Sequence, residues 1–559
     1  MFEGVDDILK ELSPEQQAAC TAPNNVLLTA CPGSGKTRTL THRLAYQVLQ
    51  KSDSRKINIA ITYTNRAAEE IINRLEDMNI DLSSIWAGTI HQFCMRYIIR
   101  PYAMYSKRLC KGYQIIDDYC KKKYGHEIAE RLGIRLRNFD DPFQYENIRT
   151  EYECLLEEKK EIDFDTILLL SEELLSSCPF ISSNIASVIS SILVDEFQDT
   201  NLLSYWLLNF LITDKTNILL LGDSLQRIYG FIGAVPNLLS HAQNTFNLQL
   251  ISLEKNYRFA SNENMLQLDK IIRQNAITPF DNPNNLKSKV EFNIYDNQEE
   301  EALQVVIKSQ KILQNDSFAK VAILAKQRGP NIEHIIKTFN HNKIPFFYGL
   351  FTDEDAEYII FNRKCLYEFI ELLKSNSKIT KKIGKKHIDK IREIYINNDS
   401  VLVKALLELL EIFWVRLFVD YSFLSNEDTI NLIKDTFEHN GIKQYMEFLN
   451  TSIIISTVHA AKGLEWDYVI LPDMEKDSFP NWYGLCGKCK NGNDCNFVMT
   501  KDIEKSFFEE LSVFYVAVTR AKKQVFFTAS HKQLTNRGIF EKNYSCFMKL
   551  PGIEYIQTV

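Results

Sequence analysis

The sequence predicts an α/β protein built on parallel sheets, and three observations lead there. An apolar run, Val26-Leu27-Leu28, enters Ala30-Cys31-Pro32-Gly33-Ser34-Gly35-Lys36-Thr37 and then a helical pattern from Leu40 to Leu49. That order is strand, glycine-rich turn, helix. A second apolar strand, Ser191 to Val194, ends abruptly in Asp195 and Glu196. A further strand-and-helix series begins at Val321 to Ala325, and buried strands return at Ile453 to Ile455 and Tyr468 to Leu471. Short apolar strands alternating with helices are the pattern of parallel sheets covered on both faces.

At 559 residues the chain exceeds one core, and about three or four domains are expected. Hydrophobic residues make up 45% and charged residues 25%, ordinary values for a globular protein. The longest apolar stretch, Leu202 to Ile212, is broken by Ser204 and Asn209 and is about half of what a bilayer crossing needs. The first residues are acidic and lack a signal-peptide core, so a cytoplasmic protein with no membrane partner is expected. A net charge of −7 excludes a polycation but still allows a local basic groove for phosphates. Twelve cysteines in so long a chain are no disulfide framework, and Cys20 and Cys94, in apolar surroundings, read as small buried hydrophobes.

The glycine turn carries the most chemistry. Gly33 and Gly35 let the backbone curl until several N–H groups converge on one anion, and the following helix aims the positive end of its dipole there. Lys36 can reach the outer phosphates of ATP or GTP, and the Thr37 hydroxyl can ligate Mg²⁺. The usual pattern opens on Gly where this chain has Ala30. Upstream, Ser13 and Gln16 form a candidate capping box, although Gln16 could also read an adenine edge.

Along the chain, Ile57 to Tyr63 reads as a strand, with Thr64-Asn65-Arg66 opening an amphipathic helix, and Thr89 and His91 follow another strand end. Hydroxyls, an amide and aromatics at strand ends suit contact with single-stranded nucleic acid, and equally suit plain turns. From about Arg100 to Ser190 the pattern is mostly helical, an inserted domain with no visible chemistry. Asp195 can hold the Mg²⁺ of a nucleotide, and Glu196 can orient and deprotonate the attacking water. Beyond the next buried strand, Gln226 is suited to sensing a γ-phosphate, and Tyr229 and Phe231 to stacking on bases. Tyr257 followed by Arg258 suits an adenine neighbour and an arginine finger. A basic run, Lys381 to His387, reads as a solvated helix end in preference to a phosphate contact. His459 and Glu465 flank a further turn, and a last helix delivers Arg520.

Taken together, LSPEQQ, ACPGSGKT, ITYTNRAAEE, GTIHQF, VDEFQDT, GDSLQRIYGFIGA, LEKNYR, STVHAAKGLEWD and YVAVTRAKK resemble, in order, the motifs of the UvrD/Rep (PcrA-type) superfamily 1 DNA helicases. The resemblance runs from about Leu12 to the end of the chain. It implies two RecA-like motor domains, residues 1–98 with 187–262 and residues 263–352 with 451–559, each carrying a helical insertion, 99–186 and 353–450. It implies ATP bound between the motors by Gln16, the loop from Ala30 to Arg38, Tyr257 and Glu465, with Mg²⁺ on Thr37 and Asp195. Glu196, Gln226, Arg258 and Arg520 would act at the γ-phosphate. Tyr63, Thr64, Asn65, Thr89, His91, Tyr229, Phe231 and His459 would line a track for single-stranded DNA, entered from a 3′-tailed duplex and followed 3′ to 5′.

Three features depart from the family. Ile232 stands where an Arg is usual, Leu511-Ser512 replaces a basic pair, and the second insertion is short. These weaken the expectation of strand separation while leaving that of ATP hydrolysis intact. They keep open a DNA-sensing ATPase subunit that acts beside a nuclease in anti-phage defence of the Gabija type. A non-hydrolysing DNA-binding scaffold is the third reading, opposed by the intact Lys36, Glu196, Arg258 and Arg520. Cys486, Cys489 and Cys495, spaced as C-x₂-C with a third Cys six residues on, fit either a structural zinc ion or three free thiols in a loop.

Overall fold

The computed structural model describes residues 5–23, 25–50, 56–116, 118–136, 141–227, 237–352, 355–420, 425–438, 440–485, 489, 501–535 and 538–557. It divides into two compact units, residues 1–224 with 229–255, and residues 225–228 with 256–559.

The first unit is organised by a six-stranded sheet. Its strands are β1 (Val26–Ala30), β2 (Ile57–Thr62), β3 (Ile85–Thr89), β6 (Ile189–Val194), β7 (Asn217–Gly222) and β8 (Gln249–Leu253), in the order β3-β2-β6-β7-β1-β8. All pairings are parallel. A parallel sheet is covered on both faces, which is why these strands are almost continuously apolar. Val26, Leu28, Leu219 and Leu221 enter one core, whereas Leu27, Ile218 and Leu220 enter the other. The alternation within each strand assigns neighbouring residues to opposite faces. Residues 100–188 are mainly helical, with a two-stranded ribbon of β4 (Gln114–Ile115) and β5 (Glu161–Ile162). They contain a small core of their own around Ile128, Ile148, Tyr152 and Leu156.

In the second unit an eight-stranded sheet comprises β9 (Ser288–Asn297), β10 (Val321–Ala325), β11 (Phe347–Gly349), β12 (Ile453–Thr457), β13 (Trp466–Leu471), β14 (Ala521–Thr535), β15 (Gly538–Glu541) and β16 (Ile553–Ile556). The order is β11-β12-β10-β13-β14-β9-β16, parallel throughout, with β15 added antiparallel to β14. Two parallel sheets flanked by helices give the α/β class that the strand and helix alternation predicts. No helix among the described residues is long and apolar enough to cross a membrane. Cys20 and Cys94 are buried, and burial pushes both thiols up to about 12.

The basic run from Lys381 opens the helix Lys381–Ile394, with Thr380 as its N-cap. Its lysines face solvent, but Gly384 and His387 face inward. A Cβ on Gly384 would come within 2.7 Å of the Trp414 ring, so only glycine admits the indole here. Trp414 Nε1 donates to His387 Nδ1 at 2.9 Å, and His387 Nε2 lies 2.7 Å from the Cys365 carbonyl oxygen. This pairing requires the neutral Nε2–H tautomer. Burial lowers the His387 pKa to about 4. The unfolded chain therefore binds a proton at about pH 6.5 that the folded chain refuses until about pH 4. Stability from this group is complete above pH 6.5 and drains away between those limits. Thermal melts across this window should show the midpoint falling with pH, and His387→Gln should flatten that slope.

Candidate active site

All strands of the first sheet point the same way, so their C-terminal ends share one edge, where α/β proteins place ligands. The loop after β1 is held from both sides. Gly33 and Gly35 adopt φ of 73° and 87°, the left-handed region in which glycine is unstrained. The Ser34 hydroxyl donates to the Cys31 carbonyl at 2.7 Å, and the Cys31 N–H donates to the Leu253 carbonyl of β8 at 3.3 Å. Ala30 completes β1 in register with Leu253, and Pro32 is buried.

Gln16 acts on this loop. Its Oε1 accepts from the Ser13 N–H at 3.0 Å, closing the expected capping box, and its Nε2 donates to the Ser34 carbonyl at 2.9 Å. A Cβ on Gly35 would lie 2.5 Å from that Nε2. The amide thus fixes the loop's curvature, and the absence of a side chain at position 35 is what lets it approach. Lys36 begins the helix Lys36–Leu49, Thr37 is half-buried in its first turn, and Arg38 pairs with Glu11 at 2.7 Å on the surface.

Asp195 and Glu196 follow β6. Lys36 Nζ lies 3.5 Å from Glu196 Oε1. Glu196 has φ of 50°, an uncommon backbone state for a residue other than glycine, and its N–H donates to Asp195 Oδ1 at 2.9 Å. Burial first, then the adjacent Glu196 charge, raises the Asp195 carboxyl to about 6, while Lys36 pulls it down. Two carboxylates crowding one lysine leave an excess of negative charge that a divalent cation would relieve. Gln198 supports the pair: its Nε2 donates to Glu196 Oε2, and its Oε1 accepts from the Asp223 N–H at 3.1 Å, just past β7. Reading the sequence missed this role. The signal was an amide two residues beyond the acids, indistinguishable there from a turn residue.

The nucleic-acid candidates gather at the β2 and β3 ends, where Thr62 is in register with Thr89. Tyr63 is exposed. The Thr64 hydroxyl accepts from the Ala67 N–H at 3.2 Å and that of Thr89 from the Gln92 N–H at 3.4 Å, so both cap helices. His91 meets the Phe164 ring edge-on at 5.7 Å. Asn65 starts the helix Asn65–Asp77, and its side chain lies outside the described residues. Tyr229, Phe231, Cys486 and Cys495 also lie outside them, whereas Cys489 is buried beside Leu485 and Ile503.

A second group forms within the second unit. Arg258 is ion-paired with Glu465 and donates to the Thr519 carbonyl, and Lys522 Nζ lies 4.0 Å from Glu465. Arg520 is buried, donating from Nε to the Val516 carbonyl at 3.1 Å and from Nη1 to the Leu464 carbonyl at 3.3 Å. Tyr257 is exposed. The carbonyl of buried Gln226 accepts from Lys462 Nζ at 3.1 Å. His459 follows β12, and its pKa is lowered by burial and then by Lys326 and Lys462.

The UvrD/REP helicase N-terminal domain family matches residues 12–141 and 137–247, spanning the phosphate loop and the Asp195-Glu196 pair, and the UvrD-like helicase C-terminal domain family matches residues 397–532. The chain belongs to the UvrD/Rep helicase family. Two relatives match along most of both chains, and a third over less than half. A probable DNA helicase II homolog of Rickettsia felis is 28% identical over 93% of each chain. The ATP-dependent DNA helicase PcrA of Staphylococcus epidermidis is 24% identical over 96% of this chain and 85% of its own. DNA helicase II of Salmonella typhimurium reaches 30% over 46% of this chain.

Proposed function

We propose that this UvrD/Rep family member is a DNA-dependent ATPase that moves 3′ to 5′ along single-stranded DNA and unwinds 3′-tailed duplexes. The observation that carries the reading is the meeting of Lys36, Asp195 and Glu196 beside the phosphate loop. Residues 99–186 and 353–450 are read as helical insertions in the two motor domains. Thr37 and Asp195 would hold Mg²⁺, which would supply neutralisation of the nucleotide's phosphate charge. The loop N–H groups and Lys36 bind phosphate, with Gln16 fixing the loop. Glu196 takes the proton of the attacking water, and Gln198 and Lys36 orient its two oxygens. Arg258, Arg520 and Gln226 answer the charge that spreads over the γ-phosphoryl oxygens as the bond breaks. Tyr257 and Glu465 face the adenosine. On the DNA side, Tyr63 offers a stacking face, joined by Tyr229 and Phe231, with Thr64, Asn65, Thr89, His91 and His459 as polar contacts. The relatives' printed names, DNA helicase II and PcrA, support DNA as the track.

A second reading is an ATPase subunit that senses DNA beside a nuclease and unwinds weakly alone. It is favoured by Leu511 and Ser512, which are buried in the helix Lys501–Val518 and carry no positive charge. The deciding experiment uses the lone chain with ATP and Mg²⁺. Hydrolysis should rise at least tenfold with single-stranded DNA, and a 3′-tailed duplex should open while a 5′-tailed one does not. Strong DNA-stimulated hydrolysis without unwinding would favour the second reading, and no hydrolysis would sink both.

A further inference from the structure

Within the second unit, far along the chain from any phosphate-loop residue, three carboxylates are packed together. Glu301 lies on the helix Gln298–Asn315, and Asp473 and Glu475 follow β13. One carboxylate oxygen from each lies within 4.8 Å of the other two, the one such group of potential metal ligands among the described residues. Glu301 and Glu475 have no solvent exposure, while Asp473 is half-buried and leaves a way in.

The surroundings supply some donors. Thr528 Oγ1 donates to Glu301 Oε1 at 2.6 Å, and Asn331 Nδ2 donates to Glu301 Oε2 at 2.9 Å and to Asp473 Oδ1 at 2.8 Å. Ser530 donates to Glu475 Oε1 from its N–H at 2.6 Å and from its hydroxyl at 2.7 Å. Glu475 Oε2, wholly buried, accepts no hydrogen bond. A carboxylate oxygen buried without a partner is costly, because it has given up water and gained nothing in return. Asp473 also holds φ of 61°, a left-handed backbone state that brings its side chain to the cluster at a conformational cost.

Every donor here is neutral. Three carboxylates face hydroxyls, an amide and backbone N–H groups, and none of them forms an ion pair among the described residues. Burial raises all three, and neighbouring carboxylates push Glu301 and Asp473 further, Asp473 to about 7, while the Ser530 hydrogen bonds, Lys542 and His531 draw Glu475 partly back and Asn331 and Lys542 do so for Asp473. Something positive would complete the group.

We propose that Glu301, Asp473 and Glu475 form a structural binding site for a divalent cation with oxygen ligands, calcium in preference to magnesium. Calcium accepts about six to eight oxygens at roughly 2.3–2.6 Å, so ligand oxygens around one ion lie up to about 5 Å apart, and the three here lie within 4.8 Å of one another. Magnesium demands a tight octahedron and sheds water reluctantly, which suits a cage of three carboxylates poorly. The ion would join the segment after β13 to β14 and to the helices of Glu301 and Asn331. Two shared protons are the rival way to relieve the same repulsion.

The test uses the full chain, stripped with EDTA, free of nucleotide, and titrated calorimetrically with CaCl₂ and MgCl₂. One calcium site is expected, at least tenfold tighter than for magnesium, with a higher melting temperature when calcium is present. Asp473→Asn keeps the shape and the tolerance for positive φ, and should weaken calcium binding at least tenfold. Asp195→Asn should leave it unchanged, which separates this site from the nucleotide's metal. Absence of calcium binding by the wild-type chain overturns the proposal, however the variants fold. So does wild-type affinity in Asp473→Asn.

Discussion

Glu196→Gln is expected to lower DNA-stimulated ATP turnover about 10³-fold, within the 10²–10⁴ typical for removal of a positioned general base. The substitution keeps the shape of a side chain that touches Lys36 and Gln198. Its effect should therefore fall on kcat, with a fluorescent ATP analogue binding within threefold of wild type. Lys36→Ala should behave differently. It removes the cation that offsets Asp195 and Glu196 as well as the proposed ligand of the phosphates. Binding and turnover should then fall together, by at least tenfold and at least a hundredfold. The two variants separate chemistry from binding. Turnover of Glu196→Gln within tenfold of wild type would remove Glu196 from the role of base.

The second large effect is expected at Arg258. An arginine that answers developing charge on a transferred phosphoryl group is worth about 10³–10⁵ in rate. Arg258→Ala should reduce kcat by roughly that lower bound while single-stranded DNA binding stays within threefold. Arg258→Lys should recover little. The guanidinium contacts the Glu465 carboxylate and the Thr519 carbonyl through separate nitrogens, a fork that a single ammonium cannot reproduce. Single-turnover hydrolysis measures this directly. A purely structural Arg258 would show a lowered melting temperature with a nearly normal rate in the folded fraction.

How much of this was legible in the sequence depends on the range of the interaction. The phosphate loop and the Asp195-Glu196 pair could be read because each is local: an apolar strand, then a change of chemistry at its end. The Ser13–Gln16 capping box was local too. The other end of the same Gln16 side chain, on the Ser34 carbonyl, joins residues 18 positions apart and left no periodic trace. Gln198 was hidden similarly, since its partner Asp223 belongs to another strand end. The hydroxyls of Thr64 and Thr89 looked like ligand contacts, yet each has a local use as a helix cap. Glu301 was the hardest to see. It closes the run Glu299-Glu300-Glu301 in the first turn of a helix, where acids are expected to face water and the helix dipole. Only the fold shows that the third of them turns inward.

The order of strands in the second sheet bears on how the protein is made. β9 ends at Asn297, and its two neighbours in the sheet, β14 and β16, begin at Ala521 and Ile553. During synthesis at roughly 5–20 residues per second, β9 therefore leaves the ribosome about ten to forty-five seconds before β14 is complete enough to join it. For that interval both of its edges offer unpaired N–H and C=O groups, the template on which strands of other chains add. The last forty residues of the sequence thus act late and decisively, because a nascent chain that lacks them has a strand with no place to go.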